Sequence, residues 1–159
     1  MRTNKNRSFW QSAKNAFYGF ACAFRSERNI KIDVGAVIFV AFFAIEYGLT
    51  RSESALVTFA AALVLIAELF NTAVEKGLDA ITTSYDENIR QSKDICAAAV
   101  TVTALCAVIC ALFVFGDMAK LTALMQKFIE QPHKLIKFGI IIIYEAVIVF
   151  RKDKNNNGK

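Results

Sequence analysis

The sequence predicts an all-α, polytopic membrane helix bundle. Three observations carry that reading. The apolar residues, 55% of the 159 in the chain, gather in blocks around 34–49, 55–70, 95–116 and 135–150. With their flanks, the first three approach the roughly 17–25 residues that cross a bilayer as helix. Only one proline and seven glycines interrupt them, and the length suits one lipid-facing domain.

Residues 8–26 place Phe9, Ala13, Phe17, Phe20 and Phe24 at helical spacing, with Trp10 and Tyr18 flanking the stripe. That pattern predicts an amphipathic helix lying on the membrane surface. The basic start of the chain has no continuous apolar h-region, so no signal peptide is expected and the first crossing is retained. Seven of the 19 basic residues precede the first apolar block, which puts the N-terminus in the cytoplasm. Because the basic residues border apolar segments, they are assigned to the membrane surface, and no nucleic-acid partner is expected.

Residues 27–33 read as a charged link, followed by a first membrane helix over Val34–Leu49 and a short outer turn over 50–54. A second helix is predicted over Ala55–Ala80, a polar cytoplasmic loop over 81–94, and a third helix over Ile95–Phe115 ending at Gly116. Residues 117–134 alternate charged and apolar side chains and predict an outer surface helix. Leu135–Phe150 is short and carries Glu145, yet the basic tail after it favours a cytoplasmic end. A fourth crossing is therefore expected in preference to an interfacial helix. The organisation is thus a membrane domain over 1–116, an extension over 117–150 and a disordered basic tail over 151–159. Cys22, Cys96, Cys106 and Cys110 lack His companions or Cys-x-x-Cys spacing, and are read as small hydrophobes without disulfide or zinc.

One element departs from membrane composition. After the apolar run from Ala55, the second helix places Glu68, Asn71, Thr72, Glu75 and Asp79 on one face, at about 100° per residue. A carboxylate inside a bilayer costs at least about 2.5 kcal/mol. Three on one stripe call for a cation. Oxygen donors of this kind are the hard ligands of magnesium, which is held by one or two carboxylates plus substrate phosphates. Glu27 before the first crossing and Lys93–Asp94 before the third meet the stripe at the same cytoplasmic boundary. A lysine there suits a nucleotide phosphate, and Glu68, the deepest acid, suits a general base acting on a hydroxyl. Together they describe phosphoryl transfer to an alcohol that lives in the membrane. No Walker-type loop, kinase Gly-rich loop or His-Arg-Asp triplet occurs, so ATP would have to be held by the membrane helices themselves. Two other readings of the stripe stand beside this one. Polar side chains also hold membrane helices together, and intramembrane acids also mark proton or cation paths.

The run Glu68-Leu-Phe-Asn71-Thr-Ala-Val-Glu75-Lys-Gly-Leu-Asp79, with Ser92-Lys93-Asp94-Ile-Cys-Ala-Ala-Ala-Val downstream, resembles the signature of the small bacterial diacylglycerol kinase and undecaprenol kinase family. Ala16-Phe-Tyr-Gly19 and Glu27-Arg-Asn-Ile-Lys resemble that family's surface helix and its exit; the likeness covers about residues 8–116. It implies an inner-membrane kinase with three membrane helices, assembled as a homotrimer whose neighbouring subunits share active sites. It implies transfer of the ATP γ-phosphate to a lipid hydroxyl at the cytoplasmic face. By position, Glu68 would be the general base, and Glu75 and Glu27 the Mg2+-binding carboxylates. Asn71, Lys93 and Asp94 would hold the nucleotide, with Asp79 in support. Glu27-Arg-Asn and Asn71-Thr-Ala look more like undecaprenol kinases than diacylglycerol kinases. Asp86 and Asp33 depart from the pattern by standing where members often carry histidine, and the fourth apolar segment is an addition to it.

Overall fold

Local signals in the chain set where each helix begins and ends. The computed structural model describes residues 8–81 and 84–150, and among these every regular element is α-helical. They are α1 (Phe9–Ser26), α2 (Arg28–Tyr47), α3 (Arg51–Ile81), α4 (Glu87–Phe115), α5 (Met118–Glu130) and α6 (Pro132–Phe150). The initial residues 1–7 and the expected tail over 151–159 lie outside the described residues.

Several predicted boundaries move. The charged link over 27–33 is reduced to one residue: Glu27 is extended (φ −106°, ψ 127°), and α2 starts at Arg28. Helix α3 begins four residues before Ala55 because Thr50 and Glu53 form a capping box. The Glu53 carboxylate accepts from Thr50 N at 2.7 Å, and Thr50 Oγ1 accepts from Glu53 N at 3.3 Å. Most of the predicted loop over 81–94 belongs to α4, whose N-terminus is capped by Asp86 accepting from the amides of Asn88 and Ile89. Pro132 opens α6 at the first helical position, where its missing N–H costs nothing. Between α2 and α3 the chain turns at Gly48, whose φ of 77° is left-handed and favours a residue without Cβ.

Helices α3 and α4 form the longest contact, packed side by side as a hairpin, with α2 against α3. Both hairpin helices are long and apolar enough to cross a membrane. Only 17% and 6% of their most apolar windows are buried within the chain, which fits lipid-facing helices and not the core of a soluble fold. Helix α1 leaves Phe9, Trp10 and Phe17 exposed, as a helix resting on a lipid surface would. All four cysteines are free thiols.

The extension folds back on α2. Tyr47, Leu124 and Phe128 bury together with Phe43, Leu49, Phe115 and Leu121 packed around them, closing the end where α2, α4 and α5 meet. From there α6 runs antiparallel to α2. Lys134 pairs with Glu46 at 3.0 Å, the Phe138 ring lies 5.7 Å from that of Phe42, and Glu145 reaches Gly35. This register returns the chain towards the level at which α2 began.

Glu46 also accepts from Lys127 of α5 at 2.7 Å, and that contact raises the Lys127 ammonium above its usual pKa. One half-buried carboxylate thus ties α5 and α6 to α2. Glu46→Gln is expected to weaken that docking by about 1–3 kcal/mol. Amide exchange should quicken across residues 118–140 while the α3–α4 hairpin keeps its protection.

Candidate active site

The α3 helix has a 3.6-residue period, so its polar residues at 68, 71, 72, 75 and 79 line one edge. The structure turns that edge inward at its middle. Glu68, Asn71 and Thr72 are the buried residues of α3 and the buried polar residues among those described; Glu68 is 2% exposed. Glu75 is half-buried, and Asp79 reaches solvent at the helix end. The stripe therefore grades from buried to wet along its length.

The start of α2 supplies the facing wall. Because α2 begins at Arg28, Asn29 and Asp33 sit one turn apart on a real helix face. The Asn29 side chain donates a hydrogen bond to the Glu68 carboxylate, and the charges of Asp33, Glu75 and Glu27 bear on it. Sequence reasoning misses Asn29 and takes Asp33 only as a departure, because the charges of residues 27–33 read as a link. The Asn-x-x-x-Asp spacing was the available signal.

Around this centre the partners are specific. Asn71 Nδ2 donates to Glu75 Oε1 at 3.2 Å, one helical turn on. Asn71 Oδ1 is buried and has no hydrogen-bond partner among the described residues. Glu27, at the α1–α2 break, accepts from Lys76 Nζ at 3.1 Å and from Ser26 Oγ at 3.0 Å; Lys76 also donates to Ser26 Oγ. This network pins α3 to the α1–α2 junction, and neither Lys76 nor Ser26 is among the residues the sequence predicts for the site. Lys93 of α4 pairs with Asp79 of α3 at 2.5 Å, joining two of the predicted site residues. Asp94 points elsewhere: it pairs with Arg90 at 2.7 Å, and Arg90 in turn holds Glu87.

The predicted residues thus form two groups. Glu68, Asn71, Glu75 and Glu27 surround one centre, while Lys93 and Asp79 flank it nearer the helix ends. No three His, Cys, Asp or Glu side chains among the described residues converge closely enough to cage a metal ion. The donors available to a cation are hard oxygens: Glu75, Glu27 and the unpartnered Oδ1 of Asn71. Magnesium bound mainly by substrate phosphates and water needs only one or two such carboxylates, so this donor set fits it.

Below the polar centre, α2 and α3 diverge around an apolar crevice. A cavity of about 130 Å³ runs from Asp33 past Val37, Val40 and Val64. A wider one of about 620 Å³ continues along Ala41, Ile45 and Leu65. Small side chains at Ala60 and Ala61 leave this space open. A hydrocarbon chain lying in the narrower cavity would hold its polar end beside Asp33.

A buried acid–amide cluster, charged residues from three helices and an apolar crevice leading away from it can be compared with known families. The family model described as prokaryotic diacylglycerol kinase matches residues 14–115. The chain belongs to the prokaryotic diacylglycerol kinase family. A diacylglycerol kinase of Synechocystis sp. is 33% identical over 111 residues, a match covering 65% of this chain and 63% of that protein. The chain thus corresponds to less than two thirds of that relative's length. No solved structure matches. The family match takes in every predicted site residue and stops at the last residue of α4, leaving α5 and α6 beyond it.

Proposed function

We propose that the chain is a lipid kinase, transferring the γ-phosphoryl group of ATP to the hydroxyl of a membrane lipid alcohol in a Mg2+-dependent reaction. The observation that carries this reading is Glu68, a carboxylate 2% exposed, beside the Asn29 amide and within electrostatic reach of Asp33, the residue at which an apolar cavity begins. Such a group takes a proton from a hydroxyl presented by a lipid lying in the crevice. Asn29, donating to the Glu68 carboxylate, holds it in one orientation. As the hydroxyl oxygen attacks the γ-phosphorus, its proton passes to Glu68 and the bond to the β-phosphate oxygen breaks, leaving ADP. General-base assistance of this kind contributes about 10²–10⁴-fold to rate.

Glu75 and Glu27 would hold the magnesium, which supplies neutralisation of the charge on the transferring phosphates. Asn71 and Lys93 would meet the rest of the nucleotide. Lys93 would exchange Asp79 for a phosphate oxygen, a point-charge contact that lysine suits. Asp94, turned to Arg90, would act on the nucleotide only after breaking that ion pair. Water is excluded at Glu68 by its burial, which strengthens each electrostatic contact there.

The seven basic residues before the first apolar block favour a site on the cytoplasmic face of the inner membrane. Assembly as a homotrimer with shared sites would let Glu27 of one copy serve the α3 of another. The lipid is proposed to be undecaprenol in preference to diacylglycerol, on the local likeness of Glu27-Arg-Asn and Asn71-Thr-Ala; the Synechocystis relative's name favours the latter. Purified chain in nanodiscs, given ATP, Mg2+ and equal amounts of the two alcohols, should phosphorylate undecaprenol faster. Preference for diacylglycerol overturns the choice of lipid, and transfer to neither overturns the kinase reading.

A further inference from the structure

A second acid lies in apolar surroundings outside the family match. Glu145 of α6 sits against α2, where its Oε1 is buried without a hydrogen-bond partner among the described residues. Its packing is close: a Cβ added at Gly35 would come within 3.3 Å of Glu145 Cδ and 3.4 Å of Oε2. Beside it, α2 and α6 leave a groove of about 430 Å³, lined by Val34, Ile38, Ile140 and Ile148, with Lys31 also on its wall. Asp33 and Gly35 are two residues apart, about 200° around α2. The groove is therefore at the depth of the Asp33–Glu68 centre but on the opposite side of α2.

A buried polar atom without a partner is costly, and an apolar groove open to lipid fills with hydrocarbon. The occupant that answers both features is a hydrocarbon chain ending in one hydrogen-bond donor. Charge narrows the choice. A phosphate or ammonium headgroup would have to give up its hydration to reach the enclosed Glu145 Oε1, at a far higher cost than a hydroxyl. A neutral hydroxyl loses least. We infer that the α2–α6 groove is an accessory binding site for a long-chain lipid alcohol, its hydroxyl donating to Glu145. The C-terminal extension creates this site, since α6 supplies the acid and half of the wall. It depends on the membrane placement of α2 and α6 and goes beyond the proposed phosphoryl transfer, which it does not require.

The test uses the full chain in nanodiscs with three photoactivatable diazirine probes: a long-chain primary alcohol, its methyl ether and a phosphatidylcholine. Cross-linked peptides are mapped by mass spectrometry. The alcohol is expected to label residues 138–148 about five-fold more than the ether, the factor one neutral hydrogen bond provides. Glu145→Leu should bring the alcohol down to the ether's level, whereas Glu68→Gln should leave the labelling intact. Equal labelling by alcohol and ether in the unaltered chain overturns the site, as does equal labelling by phosphatidylcholine. Labelling that survives Glu145→Leu with helix content unchanged also overturns it. Should Glu145→Leu not fold, the alcohol–ether comparison in the unaltered chain decides. Failure of phosphoryl transfer is read separately, because cross-linking needs no ATP.

Discussion

Glu68→Gln is expected to lower lipid phosphorylation by about 10²–10⁴-fold, the usual contribution of a general base. The bundle should stay assembled. Glutamine has nearly the same volume as the 2%-exposed glutamate, and its carbonyl still accepts from Asn29. What is lost is the site that takes the proton from the lipid hydroxyl. Phosphate transfer from labelled ATP measures the effect, with gel filtration and circular dichroism reporting assembly. Turnover that survives the substitution would remove Glu68 from the reaction. A change in assembly with turnover per folded chain preserved would make it a helix-packing residue. The ion-path reading predicts instead a liposome flux that needs Glu68 but no ATP. Helix α3 offers such a path little support: between Glu53 and Glu68 it carries no ionisable side chain, a gap of about 22 Å along the helix.

Glu75→Gln should give the second large effect, with a different signature. The glutamine carbonyl can still accept from Asn71 Nδ2, which now donates to Glu75 at 3.2 Å. The negative charge is gone, and with it one of the two carboxylates proposed for the cation. The magnesium concentration giving half-maximal rate should rise at least about ten-fold, since affinity at such sites follows ligand charge. Excess magnesium should restore part of the rate. At Glu68 no magnesium concentration should do so, and the contrast separates a base from a cation-binding carboxylate. An unchanged magnesium profile would take Glu75 out of the cation's donor set.

The helical bundle and the stripe on α3 were both legible in the chain, for a local reason. Helix formation depends on backbone bonds four residues apart, and the face a side chain occupies depends only on the 3.6-residue period. The errors lay at helix starts. Thr50-Arg-Ser-Glu53 is a capping box and Asp86 a capping residue, and these caps, not the apolar runs, set where α3 and α4 start. Reading residues 27–33 as a link had a larger consequence, because it hid the face that brings Asn29 and Asp33 to Glu68. The pairing of Asp94 with Arg90 was likewise local, four residues apart, and could have been foreseen.

By itself, then, the sequence determined an all-α membrane bundle, the inward-facing acids and amide of α3, and the resemblance that the family match bears out. Only the tertiary structure decided that Asn29 holds Glu68, that Lys76 reaches Glu27 and Lys93 reaches Asp79, and that α6 lies antiparallel on α2 with Glu145 against Gly35. Those contacts join residues from 14 to about 110 positions apart. Which of them meet depends on how the helices cross and how far the caps shorten the turns. No period within a single helix carries that information.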